Sequence, residues 1–332
     1  MAGYRWGLCC QFMDAPIRFR TATHRYVGGL DPAARRAYLG AIARDNARSL
    51  IAAVRHCHAM GVGAFRMNSQ ILPLATHPES GYLLEEIDED GEARADFLEA
   101  GRLAAGLGIR LSFHPDQFVV LNSEREPVVA SALRELAYQA SVAELVGADT
   151  IVVHGGSAAG GIPAALERLA RGIDRLDPPA RARLALENDD RQFAPADLLP
   201  LCERTGVPLV YDVHHHRCRP DGLDPAAATD AAAATWRARG QETYVHISSP
   251  RDGWAAANPR PHADYIDAAD FPEAWLGRAL TIDVEAKDKE RAVLAIRRTI
   301  EGRASAEHRP ADRPAAAPPA TPRPPASPPA PR

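Results

Sequence analysis

The chain has 332 residues, 46% of them apolar, and a formal charge of −4 with a pI near 6.3. This length and core-forming content suit one α/β barrel, and the charge excludes a globally basic nucleic-acid binder, so any DNA contact must come from a local patch. Five scattered cysteines without a CxxC pair exclude a disulfide framework and a thiolate zinc site, and no 18-residue apolar run marks a membrane span, so a cytoplasmic protein is expected.

Eight short β-prone runs follow one another along the chain: RWGLCC (5–10), AFRMNS (64–69), IRLSFH (109–114), TIVVHG (150–155), ARLALEN (182–188), PLVYDV (208–213), TYVHIS (243–248) and TIDVEA (281–286). Longer stretches with apolar residues at helical spacing separate them. The first long one opens on Asp31 and Pro32, a cap and first-turn pair, and stops at Gly61. Eight strand-helix repeats predict a parallel sheet closed into a (β/α)8 TIM barrel. The rival doubly wound sheet carries a glycine-rich turn after its first strand, and GLCCQF is not one. From Arg303 the chain becomes an Ala/Pro-rich stretch with few large apolar residues, which predicts a barrel domain over 1–302 and a disordered tail over 303–332. The tail holds five arginines against one aspartate and one glutamate, so the barrel is more acidic than the whole chain.

Metal-ligating residue types fall at the C-terminal ends of these strands. His114 ends the third, His154 the fourth and Glu187 the fifth; Asp212 and His215 end the sixth, His246 lies near the end of the seventh and Glu285 ends the eighth. His262 lies in the long loop after the seventh strand. A barrel gathers such ends at one mouth. A single histidine at a strand end is more often a hydrogen-bonded structural group than a ligand, and Glu187 and Glu285 could cap helices or pair with Lys287. Eight such residues together would be costly to bury without a cation. Imidazoles with carboxylates and no thiolate suit zinc or manganese, with iron as a further option, and eight donors exceed one ion, so two or three divalent ions are expected. Clustered ions of this kind favour phosphodiester hydrolysis. The triplet His214-His215-His216 leaves open which imidazole faces the mouth, since strict strand alternation would turn His214 to the side of Asp212.

The segments RMNSQILPLATHP, LSFHPDQFVV, VHGG, LENDDR, VYDVHH, VHISSP, HADYI and VEAKDKE, in this order over about residues 5–295, resemble the UV damage endonuclease family, barrel-fold DNA repair nucleases similar to endonuclease-four-type enzymes. The resemblance implies that His114, His154, Glu187, Asp212, His215, His246, His262 and Glu285 are the metal ligands, with Glu187 bridging two ions. Its D-x-x-H spacing selects His215 and leaves His214 and His216 as supporting or surface groups. It implies that Gln117 and Phe118 wedge into damaged double-stranded DNA, that Asn68 and His77 line the mouth, and that a monomer nicks the strand 5′ of the lesion. Glu187, Glu285 and Lys287 are the candidate catalytic residues. The chain departs from the family at Tyr244, where a lysine is frequent, and at Leu8 and Phe12, where tyrosine and asparagine are common. The competing expectations are a sugar isomerase or epimerase with a metal barrel, an iron-dependent peptide-modifying oxygenase, and a non-enzymatic module with structural metals.

Overall fold

The computed structural model describes residues 3–307. Its eight strands are β1 (Arg5–Cys9), β2 (Ala64–Met67), β3 (Arg110–Phe113), β4 (Thr150–His154), β5 (Leu184–Glu187), β6 (Leu209–Asp212), β7 (Thr243–Ile247) and β8 (Leu280–Val284). They form a closed parallel barrel in sequence order, with β8 paired back to β1. Every strand coincides with a segment that the sequence predicts, with ends that differ by no more than two residues; β8 starts one residue before its segment.

The helix Pro32–Met60 starts where its chemistry says it should. The Asp31 carboxylate accepts the backbone N–H groups of Ala33 and Ala34, and Pro32 needs no such partner. It ends at Gly61, whose φ of 68° is the left-handed conformation that glycine adopts without Cβ strain. The last helix, Lys289–Glu307, runs on past Gly302, where the sequence predicts the barrel to end. The first proline of the tail is Pro310, so nothing in residues 303–307 forbids helix. The rest of the expected tail lies outside the described residues.

Alternation along the strands divides the barrel into two environments. Leu184 and Leu186 of β5, Leu209 and Tyr211 of β6, Val245 and Ile247 of β7, and Ile282 and Val284 of β8 join the large apolar core between the strand ring and the helices. The intervening residues point the other way, into the barrel. Near the mouth these are His154, Glu187, Asp212, His246 and Asp283, a set of polar groups in an otherwise close-packed interior. The strand register then aligns them. His154 pairs with Glu187, Asp212 with His246, and His246 with Asp283.

Candidate functional site

Glu187 is the centre of the mouth and has no exposed surface. Its Oε2 lies 2.7 Å from His114 Nε2 and 3.9 Å from His154 Nδ1; its Oε1 lies 3.1 Å from His246 Nδ1 and 3.2 Å from His215 Nδ1. Two groups of donor atoms close enough to share an ion result, His114–Glu187–His246 and His154–Glu187–His215. The three other expected ligands surround them. Asp212 Oδ2 is 3.6 Å from His215 Nδ1, Glu285 Oε1 is 3.4 Å from His246 Nδ1, and His262 Nδ1 is 3.6 Å from Glu285 Oε2. All eight therefore form one connected cluster.

A test of whether these residues suit cations comes from their hydrogen bonds. Glu187 Oε1, Asp212 Oδ2, His154 Nδ1, both ring nitrogens of His246 and both carboxylate oxygens of Asp283 are buried without a hydrogen-bond partner. Native proteins rarely leave so many polar atoms unsatisfied in one place. His114 adds a sharper argument: its Nδ1 faces the Pro115 carbonyl at 3.0 Å and must donate to it. In the neutral ring that leaves a lone pair on Nε2 directed at the Glu187 carboxylate, which is stable only with a proton or a cation between them. The residues fit divalent ions.

The acid-base balance is consistent with this. Burial alone raises the Glu187 carboxyl, but the neighbouring His246 and His154 rings and the hydrogen bond with His114 hold it well below the usual carboxylate range. Burial opposes ionisation of Glu285 too, and is overcome by the Arg66 guanidinium, whose Nη1 donates to Glu285 Oε1 at 2.6 Å. For the imidazoles burial acts in the opposite sense and lowers His154. The Glu187 carboxylate outweighs it at His246, lifting that ring to about 9.

The His214-His215-His216 triplet divides three ways because β6 ends at Asp212. A short helix, Val213–Cys218, starts there, with Asp212 Oδ1 capping the His215 N–H at 2.7 Å. Helical i,i+3 spacing then sets His215 beside Asp212. Neither neighbour is a surface group. His214 is fully buried and donates from Nε2 to the Arg260 carbonyl at 3.2 Å. His216, also buried, joins Asp221 Oδ1 at 2.8 Å and the Tyr211 hydroxyl at 2.9 Å.

The outer candidates separate. Gln117 lines a cleft of about 690 Å³ together with His154, His215 and His262. Phe118 is 76% exposed and shares a second hollow, of about 350 Å³, with His77 and Asp116. His77 stacks on His24 with ring centroids 4.3 Å apart, and its Nδ1 accepts the backbone N–H groups of Glu79 and Ser80. Asn68 accepts the Gln70 N–H and lines a small hollow with Gln11 and Phe12. Lys287 does not join the carboxylates. Its backbone N–H is tied to the Ala263 carbonyl, its side chain is exposed, and it makes no side-chain hydrogen bond or ion pair among the described residues. Tyr244, the departure on β7, is buried with its hydroxyl 2.9 Å from Ser112 Oγ and the Arg110 guanidinium 4.8 Å from its ring centre.

Sequence reasoning missed Asp283 and Arg66. Asp283 Oδ2 lies 3.8 Å from His246 Nε2 and 3.7 Å from Arg66 Nε, all within the barrel. A Cβ on Gly7 of β1 would fall 2.1 Å from Asp283 Oδ1, so that glycine makes room for the carboxylate. The available signal was period two: Asp283 precedes Glu285 by two positions and shares its face.

Comparison with known proteins agrees with this architecture. The family model of UV-endonuclease UvdE matches residues 4–308. The UV DNA damage endonuclease of Deinococcus radiodurans is 37% identical over 88% of this chain and 94% of its own length, and that of Bacillus velezensis 31% over 89% and 92%. Among solved structures, SacUVDE superimposes with a TM-score of 0.79 at 26% identity over 91% of this chain and 99% of its own. Endonuclease IV from Thermus thermophilus shares the fold with a TM-score of 0.55 at 19% identity, over 77% of this chain and 94% of that one. With a family model spanning nearly all of the described barrel and relatives covered almost end to end, the chain belongs to the UV-endonuclease family.

Proposed function

We propose that this DNA repair endonuclease nicks damaged duplex DNA immediately 5′ of UV photoproducts, leaving a 3′-hydroxyl, and that abasic sites are further substrates. The observation that carries the chemistry is the pair of donor groups that share Glu187. His114, His154, Glu187, Asp212, His215, His246, His262 and Glu285 would hold two or three divalent ions, manganese or zinc by their imidazole and carboxylate character. Bound there, the ions supply Lewis-acid stabilisation of the phosphoryl oxygens and acidify water.

The chain's own residues do the positioning. Glu187 spans both donor groups with one buried carboxylate, Arg66 holds Glu285 by a hydrogen bond, and Asp283 sets a second carboxylate against the far nitrogen of His246. Gln117, which lines the cleft, and the exposed Phe118 ring would wedge into a distorted base step, where weakened stacking lowers the cost of turning nucleotides out. Because every donor comes from one chain, the reading includes a monomer. No helix among the described residues is long and apolar enough to cross a membrane, and we place the enzyme in the cytoplasm with its DNA.

The experiment is a nicking assay on end-labelled duplexes carrying a pyrimidine dimer, an abasic site or no lesion, with metal-loaded wild type and Glu187→Gln. The wild type should cut at the 5′ side of each lesion. Glu187→Gln should lose bound metal and nearly all cleavage while keeping the barrel's circular dichroism. Intact lesion duplexes alongside turnover of a sugar, or consumption of oxygen, would overturn the nuclease reading.

A further inference from the structure

We infer that Arg260, with Arg191 beside it, binds a phosphate of the DNA backbone at the lip of the metal-site cleft. This rests on the endonuclease reading and adds a named contact to it. Both arginines line the same cleft as Gln117, His154, His215 and His262. They arrive from different connections, Arg191 after β5 and Arg260 in the long excursion between β7 and β8, and meet at one carboxylate. Arg260 Nε lies 3.1 Å from Asp190 Oδ2 and Arg191 Nε lies 3.7 Å from the same oxygen.

The arrangement leaves charge and donors over. Two guanidiniums face one carboxylate, and the terminal N–H groups of both arginines make no hydrogen bond among the described residues. Their side chains are 41% and 67% exposed, a setting in which an ion pair contributes little to stability. A planar guanidinium fork matches phosphate oxygens, and a phosphodiester is the anion this chain's substrate would bring to the cleft.

The backbone under each arginine is built with care. His214, fully buried, donates to the Arg260 carbonyl, and its ring lies 5.2 Å from that of His262. The Asp189 carboxylate accepts the N–H groups of Arg191, Gln192 and Phe193, which winds the other loop tightly. This accounts for two motif residues without another role, His214 of the triplet and Asp189 of LENDDR. The competing explanation is that Asp190 merely staples the two loops together.

The experiment compares metal-loaded wild type, Arg260→Ala and Arg260→Lys by binding to undamaged duplex over a salt series and by nicking kinetics. Removing one phosphate contact should flatten the slope of log affinity against log salt by about one. KM for lesion duplex should rise about tenfold in Arg260→Ala with kcat within about twofold, and lysine should recover part of the affinity as a point charge. Metal content and melting temperature should not change. An unchanged salt slope, or a loss of melting temperature or metal without one, would show a loop staple and overturn the inference. Failure of the endonuclease reading would appear separately, as a wild type that cuts no duplex.

Discussion

His246 Nε2 faces Asp283 Oδ2 across 3.8 Å inside the barrel, between residues paired in the register of β7 and β8. The opposite ring nitrogen, Nδ1, faces Glu187 Oε1 at 3.1 Å. At this separation no hydrogen bond forms, so the Asp283 carboxylate acts on the ring through its charge, which favours a proton or a cation on His246. Asp283→Asn removes that charge and should weaken metal binding by about 10-fold, without unfolding the barrel. A metal titration of the variant is the measurement, and unchanged affinity would restrict Asp283 to pairing with Arg66.

The histidine triplet predicts a clean split. His215→Ala should lose metal, because this ring faces both Glu187 and Asp212. His216→Ala should retain metal but lose about 1–3 kcal/mol of stability, since it strands the buried Tyr211 hydroxyl and a mostly buried Asp221 oxygen. Metal content and urea unfolding distinguish the two, and the reverse pattern would reassign the triplet.

The wedge residues predict a loss of recognition with the cutting apparatus intact. Gln117→Ala with Phe118→Ala removes two exposed side chains, so stability and metal content should hold. Cleavage of dimer-bearing duplex should fall at least about tenfold, the scale of one base-stacking contact. Weak, salt-dependent binding to plain duplex should survive. Full activity in the double variant would remove these residues from lesion recognition.

Metal-free protein should lose stability as pH rises. The His246 pKa is lifted from its ordinary 6.5 to about 9 in the folded chain, so its protonated form favours folding fully below about 6.5. That contribution fades as pH rises from 6.5 through 9. Ion binding must displace the same proton, so affinity should rise over this window with proton release. Thermal unfolding of metal-free protein at pH 6 and pH 9, and calorimetry of metal binding in two buffers of different ionisation enthalpy, check the two signs. A flat profile for the metal-free chain would contradict the assignment.

Much of this site was legible along the chain because a parallel barrel converts sequence order into position. Strand-end residues such as His114, His154 and Glu187 could be marked from β-branched runs alone, and the structure gathers them. Asp283 was hidden because a single carboxylate between Ile282 and Val284 reads as an interruption of a strand, not as a partner for His246. His215 could be chosen over His214 only through the family spacing, because alternation holds as long as the strand continues and the chain does not announce that β6 stops at Asp212. Lys287 is a case that the motif alone does not decide: its side chain is exposed and makes no hydrogen bond or ion pair with the carboxylates among the described residues.

The sequence by itself determined the eight strand-helix repeats, the inward and outward faces of each strand, and the supply of imidazoles and carboxylates, because these follow from local periodicity and composition. Only the tertiary structure decided which donors share Glu187, which face the cleft and which stay buried as supports. Those choices depend on the register between strands and on where each strand ends. A shift of one residue turns a side chain from the barrel interior to the helix layer.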